Sequence, residues 1–284
     1  MARPTIEAIT DATLDEFAAL LHQQLNASRS AALWAADFRR CMRPESPNYG
    51  FALRDNGHLV GGIGALYADR TVAGRRERYC NITSWCVLPD YRQHSTRLAM
   101  ALLAQGERVY TDFSPTKVVA ATLRFLKFTE LDERRAVSLN LPGLGCGVRV
   151  LTRHEQIAAA LPADARAAYD AHRQLPWLHH LALVEGDGAA CHVIYRRSRI
   201  KGLPAAHVLH VGDAAVYRRG RAALARHFWR RGLPFSVVEL RTVAAPPKPY
   251  LLQTGFTRKV VLAPADAFSN VDYLYSETLL FDLT

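Results

Sequence analysis

The chain has 284 residues, 49% of them hydrophobic and 22% charged, and a formal net charge of +10. That length favours two domains, and the composition is that of a globular protein with real cores, not a disordered chain. No apolar run approaches the roughly 20 residues needed to span a bilayer, and the N-terminal stretch turns acidic with no apolar signal core.

The five cysteines, Cys41, Cys80, Cys86, Cys146 and Cys191, are odd in number, scattered, and form no CxxC pair. That pattern argues against a disulfide framework or a zinc site and for a reducing, cytoplasmic setting. The positive charge invites an anionic partner, either nucleic acid or a phosphate-bearing cofactor. The arginines are spread along the chain, for example Arg75, Arg76 and Arg78, then Arg196, Arg197 and Arg199. No zinc finger, RNP-like motif or basic tail accompanies them, so nucleic acid is not the expected partner.

In chain order, 6–9 reads as a strand. A helix follows to residue 25, with Asp11 as N-cap and Leu14, Phe17, Leu20 and Leu21 on one face. A second helix covers 30–39. Two strands then meet at Asp55-Asn56-Gly57, a strong hairpin signal. Gly61, Gly62 and Gly64 suggest a bulge or a close backbone approach in the second of them. After a turn at Ala73-Gly74 the longest strand is expected over 78–88. A polar, basic loop and a helix ending near Gln105-Gly106 come next. A strand at 109–112 follows, then a helix begun by Ser114-Pro115-Thr116, then a strand from Thr129.

The stretch 81–103, NITSWCVLPDYRQHSTRLAMALL, concentrates the functional signal. A strand that feeds a loop of backbone amides at a helix N-terminus suits an anionic group, usually a phosphate. Arg92, His94 and Arg97 can add side-chain charge there.

In element order over about 5–141, the chain resembles the GNAT superfamily of acyl-CoA N-acyltransferases. The specific matches are Val87-Leu88-Pro89-Asp90-Tyr91-Arg92 against a strand exit of the form Val-x-Pro-x-Tyr-Arg, and the loop that follows. A second match is the helix ending Leu123-Arg124-Phe125-Leu126-Lys127-Phe128. The resemblance implies a pyrophosphate site at Arg92, Gln93, His94, Ser95, Thr96 and Arg97. It implies a pantetheine arm along Cys86 and Val87, with the thioester beside residues 84–87. The co-substrate would be acetyl-CoA or another acyl-CoA, and the acceptor a small-molecule or peptide amine. The pattern also departs from the family's. Ser95 and Arg97 replace both loop glycines, Lys127 replaces the glycine before Phe128, and the family's acid tyrosine falls at Leu123.

Candidates for the chemistry are Asn81 and Thr83 on the central strand, and Tyr110 and Asp112 on the next; Asp112 and Thr83 are taken as catalytic. Strand alternation places Asn81, Thr83 and Trp85 on one face and Ser84 and Cys86 on the other. Asp112 also suits a structural task, capping the turn at Ser114-Pro115. Cys86 has no histidine partner to make it a nucleophile.

The second half repeats the pattern. A hairpin returns at 178–197. AHVLHV at 206–211 stands where NITSWCV stood, a helix opens at Arg221, and a strand follows at 236–240. Tyr250 to Gly255-Phe256 repeats the helix-ending Gly-Phe signature. A last strand pair is expected at 259–261 and 274–281, with Tyr273, Tyr275, Ser276 and Glu277 as polar groups there. Pro142 to Gly147 reads as a linker, and Pro246-Pro247-Lys248-Pro249 as a pocket wall. The expected architecture is α/β (α+β): two tandem GNAT-like domains, each a mixed, mostly antiparallel sheet flanked by helices. Residues 1–145 form the acyl-CoA-binding copy, and 146–284 a degenerate one. The function expected is N-acyl transfer to an amine, with a non-catalytic acyl-CoA-binding or scaffold protein as the alternative.

Overall fold

Two seven-stranded mixed sheets organise the chain. The computed structural model describes residues 3–72, 74–143, 147–243, 249–255 and 258–282. Ala73, residues 144–146 of the expected linker, Pro246, Pro247, Lys248 and Phe256 lie outside them.

In the first half the elements are β1 (Thr5–Ala8), α1 (Leu14–Gln24), α2 (Ala31–Cys41), β2 (Gly50–Asp55), β3 (His58–Val72) and β4 (Arg75–Val87). A 3-10 turn over Pro89–His94 leads into α3 (Ser95–Leu103), followed by β5 (Val109–Asp112), α4 (Lys117–Phe125), β6 (Thr129–Glu130) and β7 (Arg135–Leu139). The second half adds β8 (Arg149–Leu151), α5 (His154–Ala160), α6 (Ala163–His172), β9 (His179–Val184), β10 (Ala190–Ile200) and β11 (Leu203–Val211). Then come α7 (Ala214–Arg219), α8 (Arg221–Arg230), β12 (Phe235–Glu239), α9 (Leu240–Val243), β13 (Leu251–Gln253), β14 (Val260–Leu262) and α10 (Glu277–Leu280).

The expected fold class is the observed one, and its local signals have visible causes. Ser30 caps α2 by accepting from the Leu33 amide, and Thr116 caps α4 by accepting from Val119. Asn56 and Gly57 both take positive φ, 48° and 81°, as a two-residue hairpin of this sequence requires. The β2–β3 hairpin is closely covered: a Cβ on Gly62 would stand 2.5 Å from the Phe17 ring, and one on Gly64 2.6 Å from Phe38. These glycines let α1 and α2 settle onto β3. Asp11 does not cap α1; its carboxylate accepts from the Tyr49 hydroxyl at 2.6 Å, and the cap position falls to Thr13. The longest strand is β3, not β4.

Sheet order separates this chain from two consecutive copies. The first sheet runs β1-β2-β3-β4-β5-β14-β6 and the second β13-β7-β12-β11-β10-β9-β8. Read from β1 and from β8, the two orders correspond element for element, except that the sixth position of each sheet is filled by a strand from the other half. β14 pairs antiparallel with β5 and β6 in the first sheet, while β7 pairs with β12 and β13 in the second. The compact units are accordingly Met1–Leu131 with Arg258–Phe268 and Tyr275–Leu283, and Asp132–Thr257 with Ser269–Leu274. They are not the contiguous stretches 1–145 and 146–284, because hydrophobic pattern identifies a strand but not the sheet it joins.

Two other expectations differ. The stretch around Glu277 is the short helix α10, not a strand, and Tyr250 to Gly255 contains the strand β13, not a helix end. Gly255 adopts the left-handed conformation, with φ 84°.

Each unit has its own core. In the first, Ile63, Ala65, Cys80, Ile82, Leu98, Leu102, Leu123 and Val260 are buried together. In the second, Leu181, Leu183, Val193, Ala206, Leu224 and Phe228 form the main cluster. Among the described residues no helix is long and apolar enough to cross a membrane.

Candidate active site

The site begins where two parallel strands part. β4 and β5 are paired at Tyr79–Val109, Cys80–Tyr110 and Asn81–Thr111, and the ladder stops there. β4 continues along β3 to the Gly61–Val87 pair, with a register shift between Gly62 and Gly64. The extra residues of that bulge include Ser84, held at φ +52°. A non-glycine residue in the left-handed region costs about 1–2 kcal/mol and marks backbone that its surroundings dictate. The bulge also breaks the side-chain alternation expected from sequence: Thr83, Ser84 and Trp85 all line one cavity.

That cavity, of about 210 Å³, is lined by Thr83, Ser84, Trp85, Asp112, Ser114 and Glu277, with Leu25, Trp34, Val119 and Phe281 among its apolar walls. A second cavity of about 440 Å³ is lined by Cys86, Val87, Arg92, Ser95 and Thr96 on one side and Thr116, Val118, Val119 and Thr122 on the other. Leu25, Trp85, Thr116 and Val119 line both, so the two spaces meet at a waist beside the bulge.

The residues expected at the pyrophosphate divide between those that line the groove and those that do not. Arg92, Ser95 and Thr96 line it, as do Cys86 and Val87. Gln93 and His94 are not part of the lining, and Arg97 donates to the backbone carbonyl of Pro4 at 2.8 Å. Nor is the segment an open loop. Pro89–His94 forms a 3-10 turn that runs into α3, and the Ser95 amide donates to the Arg92 carbonyl. Side chains at positions 95 and 97 that replace glycine are compatible with this closed turn.

At the other end, Asp112 and Thr83 are brought into the same cavity. Asp112 is 4% exposed and accepts from the Ser114 amide at 3.1 Å, so it does cap the turn as well. Burial, and next the charge of Glu277, hold its carboxyl well above the usual carboxylate range. Glu277, 3% exposed, accepts from the Ser114 hydroxyl at 2.7 Å and from the Asn81 amide nitrogen. Burial raises its carboxyl too, while the hydrogen bonds from Ser114 and Asn81 and the nearby charge of Lys259 act the other way. Asn81 is completed by the Thr111 hydroxyl, which donates to its Oδ1 at 3.0 Å.

Other candidates are placed elsewhere or are inert. The Tyr110 hydroxyl donates to the Gly106 carbonyl at 2.8 Å, and burial raises its pKa to about 12. Burial also raises the Cys86 thiol, so it offers no thiolate. Leu123 is fully buried in the core where the family carries its acid tyrosine. Lys127, in the glycine position, takes φ +71°, closing a helix-ending turn in which the Phe128 amide donates to the Leu123 carbonyl. Sequence reasoning underrates Glu277, which it places on a strand. The available signal is one acid two residues ahead of an apolar stretch, Leu279-Leu280-Phe281.

The second unit fills the equivalent places with its own side chains. β11 and β12 part after Val208–Val238. The next residue on β12, Glu239, is 1% exposed and accepts from Arg241 at 2.7 Å and from the Tyr273 hydroxyl. At the helix start after β11, the Asp213 carboxylate accepts from the Ala215 and Val216 amides at 2.8 and 2.9 Å. A carboxylate thus occupies the position a phosphate would take.

Residues 11–120 match the model of the acetyltransferase (GNAT) family. No curated protein matches the chain in sequence. Among solved structures, a GCN5-related N-acetyltransferase from Anabaena variabilis is similar at TM-score 0.64 and 11% identity, over 91% of this chain and 72% of that one. One from Kribbella flavida is similar at TM-score 0.60 and 14% identity, over 91% and 70%. Eis1 from Mycobacterium abscessus is similar at 0.54 and 15%, over 91% and 73%. At such identities the structural likeness speaks for the fold. The family match covers residues 11–120, and the parted β4 and β5, with the same strand order twice over, give the chain the fold of two tandem GNAT-like domains.

Proposed function

We propose that the protein is an acyl-CoA-dependent N-acyltransferase, acetyl-CoA being the expected donor, and that its first unit alone carries the site. The observation that supports this best is the joined pair of cavities: a groove ending at Arg92, Ser95 and Thr96, and a carboxyl-lined chamber, meeting where β4 leaves β5. The groove suits an extended phosphate-bearing arm. Arg92 supplies the charge for the pyrophosphate, with Ser95 and Thr96 hydroxyls as donors. The edge of β4 beyond Asn81, where β5 has left it, offers peptide groups to an amide-containing arm, as a sheet edge does to any extended chain.

In this reading Asp112 and Glu277 act as one proton-accepting pair. Both carboxyls are buried, and the charge of Glu277 acts on Asp112, so they titrate as a coupled pair. The pair takes one proton from the acceptor's ammonium. The freed amine nitrogen bonds to the thioester carbonyl carbon and the carbon–sulfur bond breaks. The second nitrogen proton leaves and a proton ends on the departing sulfur, so atoms and charge balance. Proximity within the chamber supplies much of the rate, and no tyrosine is required at the position of Leu123. Thr83 and the peptide groups at the Ser84 bulge flank the reacting carbonyl. The second unit, its helix start closed by Asp213 and its parted strands filled by Glu239, Arg241 and Tyr273, is structural.

Isothermal titration of the full chain with acetyl-CoA, followed by single-turnover assays with a panel of amines, tests this. Micromolar binding with acyl transfer supports it. Binding with no transfer to any amine supports the non-catalytic acyl-CoA-binding alternative. Absence of binding removes both.

A further inference from the structure

The buried residues of α2 are Trp34, Ala35, Asp37, Phe38 and Cys41. Their spacing puts them on one helix face, and Asp37 is the only charge on it. A carboxylate on a buried apolar face is costly unless it is paired and hydrogen-bonded. Asp37, 3% exposed, is paired twice. Arg40, in the last turn of the same helix, donates to its Oδ1. Arg29, in the loop ahead of α2, forms an ion pair with its Oδ2. One carboxylate therefore holds two guanidiniums side by side.

Both guanidiniums also reach the C-terminal stretch. Arg40 donates to the Leu280 carbonyl at 3.3 Å, and Arg29 donates to the Asp282 carbonyl. Leu280 ends α10, where the last carbonyls lack a partner within the helix. Between these two contacts, the Phe281 ring packs on Trp34 and Phe38 at 6.0 and 5.4 Å between centres. Leu280, Phe281 and Asp282 are thus all held from the α2 side. α10 depends on such contacts, because it has four residues, Glu277–Leu280, and so short a helix does not hold itself in water. Within it, the Leu279 and Leu280 amides donate to the Ser276 carbonyl, and the Phe281 amide donates to the Glu277 carbonyl. Glu277 therefore stands one turn from the held residues. Its hydrogen bonds from Ser114 and Asn81 set the near end of that turn, and Arg29 and Arg40 set the far end.

Taking the N-acyltransferase reading above as given, we propose that Asp37 is a positioning residue for the transfer: by pairing Arg29 and Arg40 it fixes the α10 turn and, through it, the Glu277 carboxylate. Asp37 itself lines neither cavity. Without its charge the two guanidiniums face each other as like charges, and each loses the partner that aims it at a carbonyl. The Glu277 carboxylate then shifts relative to Asp112 and the reacting amine, while the groove for the donor keeps its own residues.

The test is a double-mutant cycle on the full chain. Asp37→Asn and Arg40→Gln are each made alone and together with Glu277→Gln. Transfer from acetyl-CoA is measured with spermidine, glucosamine, tyramine and a lysine-containing peptide, and the fastest of these acceptors serves throughout. Asp37→Asn should lower kcat by about 10–100-fold, the effect of a reacting group displaced by about 1 Å, with KM for acetyl-CoA changed by less than about twofold. With Glu277→Gln already present, the same change should cost less than about threefold, since a misplaced residue 277 then has no carboxylate to lose. Hydrogen exchange at the Leu279, Leu280 and Phe281 amides should quicken at least about tenfold in Asp37→Asn, with β3 and β4 unchanged. An unchanged kcat, or an equal loss with and without Glu277→Gln, overturns the inference and leaves the acyltransferase reading standing. Where Asp37→Asn unfolds more than α10, Arg40→Gln decides, because it leaves Arg29 paired with Asp37: a loss of kcat that vanishes with Glu277→Gln supports the inference, and no loss overturns it. Absence of transfer by the wild type to every acceptor brings down both.

Discussion

The Glu277 carboxylate accepts a 2.7 Å hydrogen bond from the Ser114 hydroxyl, across 163 positions of chain. The same Ser114 donates its amide to Asp112. One serine therefore orients two acids that lie far apart in sequence, and the pair exists only when the C-terminal stretch lies against the end of β5. Replacing Glu277 by Gln or Asp112 by Asn should each lower kcat by about 10²–10⁴-fold, the usual range for a general base. KM for acetyl-CoA should change little, since neither residue lines the groove. Steady-state kinetics with saturating acetyl-CoA checks this.

The same pair sets a pH dependence of the rate. Both carboxyls are raised, Asp112 first by burial and then by Glu277's charge. Activity should fall on acidification at a pH above the ordinary carboxylate range. Glu277→Gln removes the like charge and should move the acid limb, measured on the residual activity, to lower pH. Stability follows the opposite sign. A carboxyl with a raised folded-state pKa binds more protons folded than unfolded, so it weakens the fold as pH rises from its unfolded value towards its folded one. Asp112→Asn should therefore raise the melting temperature at pH 7 and above, by about 2–4 °C for each kcal/mol recovered, while abolishing most activity.

At the groove, Ser95→Asp should repel the pyrophosphate and weaken acetyl-CoA binding by about 10–100-fold, the effect of one unfavourable charge contact. Asp213→Ala in the second unit should leave that affinity unchanged, because its carboxylate serves its own helix start. Calorimetric titration of both variants separates a first-unit site from a second-unit one.

Much of this fold is legible in the sequence. The Asn56-Gly57 turn, the glycines of β3, the hydroxyl ahead of α4 at Thr116, and the Val87 to Arg92 exit are local signals, and local physics realises them. The exchange of β7 and β14 is not legible, because both strands are short and apolar and either would satisfy either sheet. Glu277 is hidden for a related reason: its importance comes from Ser114 and Asn81, and no periodicity links them. Arg97 has the charge of a phosphate ligand, but the Pro4 carbonyl, 93 positions away, is what receives it.

Lys127 offers a clean stability measurement. It is exposed, follows the end of α4 and stands at φ +71°. Lys127→Gly should stabilise the chain by about 1 kcal/mol, the cost of a left-handed non-glycine residue reduced by glycine's greater unfolded-state freedom. Urea unfolding with an unchanged m-value would show it.

The second unit holds a histidine group with the opposite pH behaviour to the carboxyl pair. His180 Nδ1 and His192 Nε2 are 3.1 Å apart, with Tyr169 edge-on to both rings. His210, paired with Asp272, packs edge-on against His192, and His154 stacks on Tyr169. Burial lowers His180 to about 4 and His192 well below its usual value. Their stabilising contribution is complete above the unfolded value near about 6.5 and is lost as pH falls towards the folded one. Acid should loosen the second unit between about pH 6.5 and 4, and His192→Phe should flatten that loss. Hydrogen exchange on amides of β10, followed across this range, checks it.

The strand exchange also has a consequence for synthesis. When the ribosome has made about half of these residues, the first sheet has β5 and β6 but nothing between them, since residues 260–262 are still to be added. Neither sheet can close before this stretch is nearly finished, and Glu277 reaches Ser114 later still. The nascent protein thus carries an open β5 edge until residues 260–262 are made, and an unpaired strand, β7, until residues 235–239 are made. A gene fragment ending near the middle is not a smaller version of this fold but an unfinished sheet.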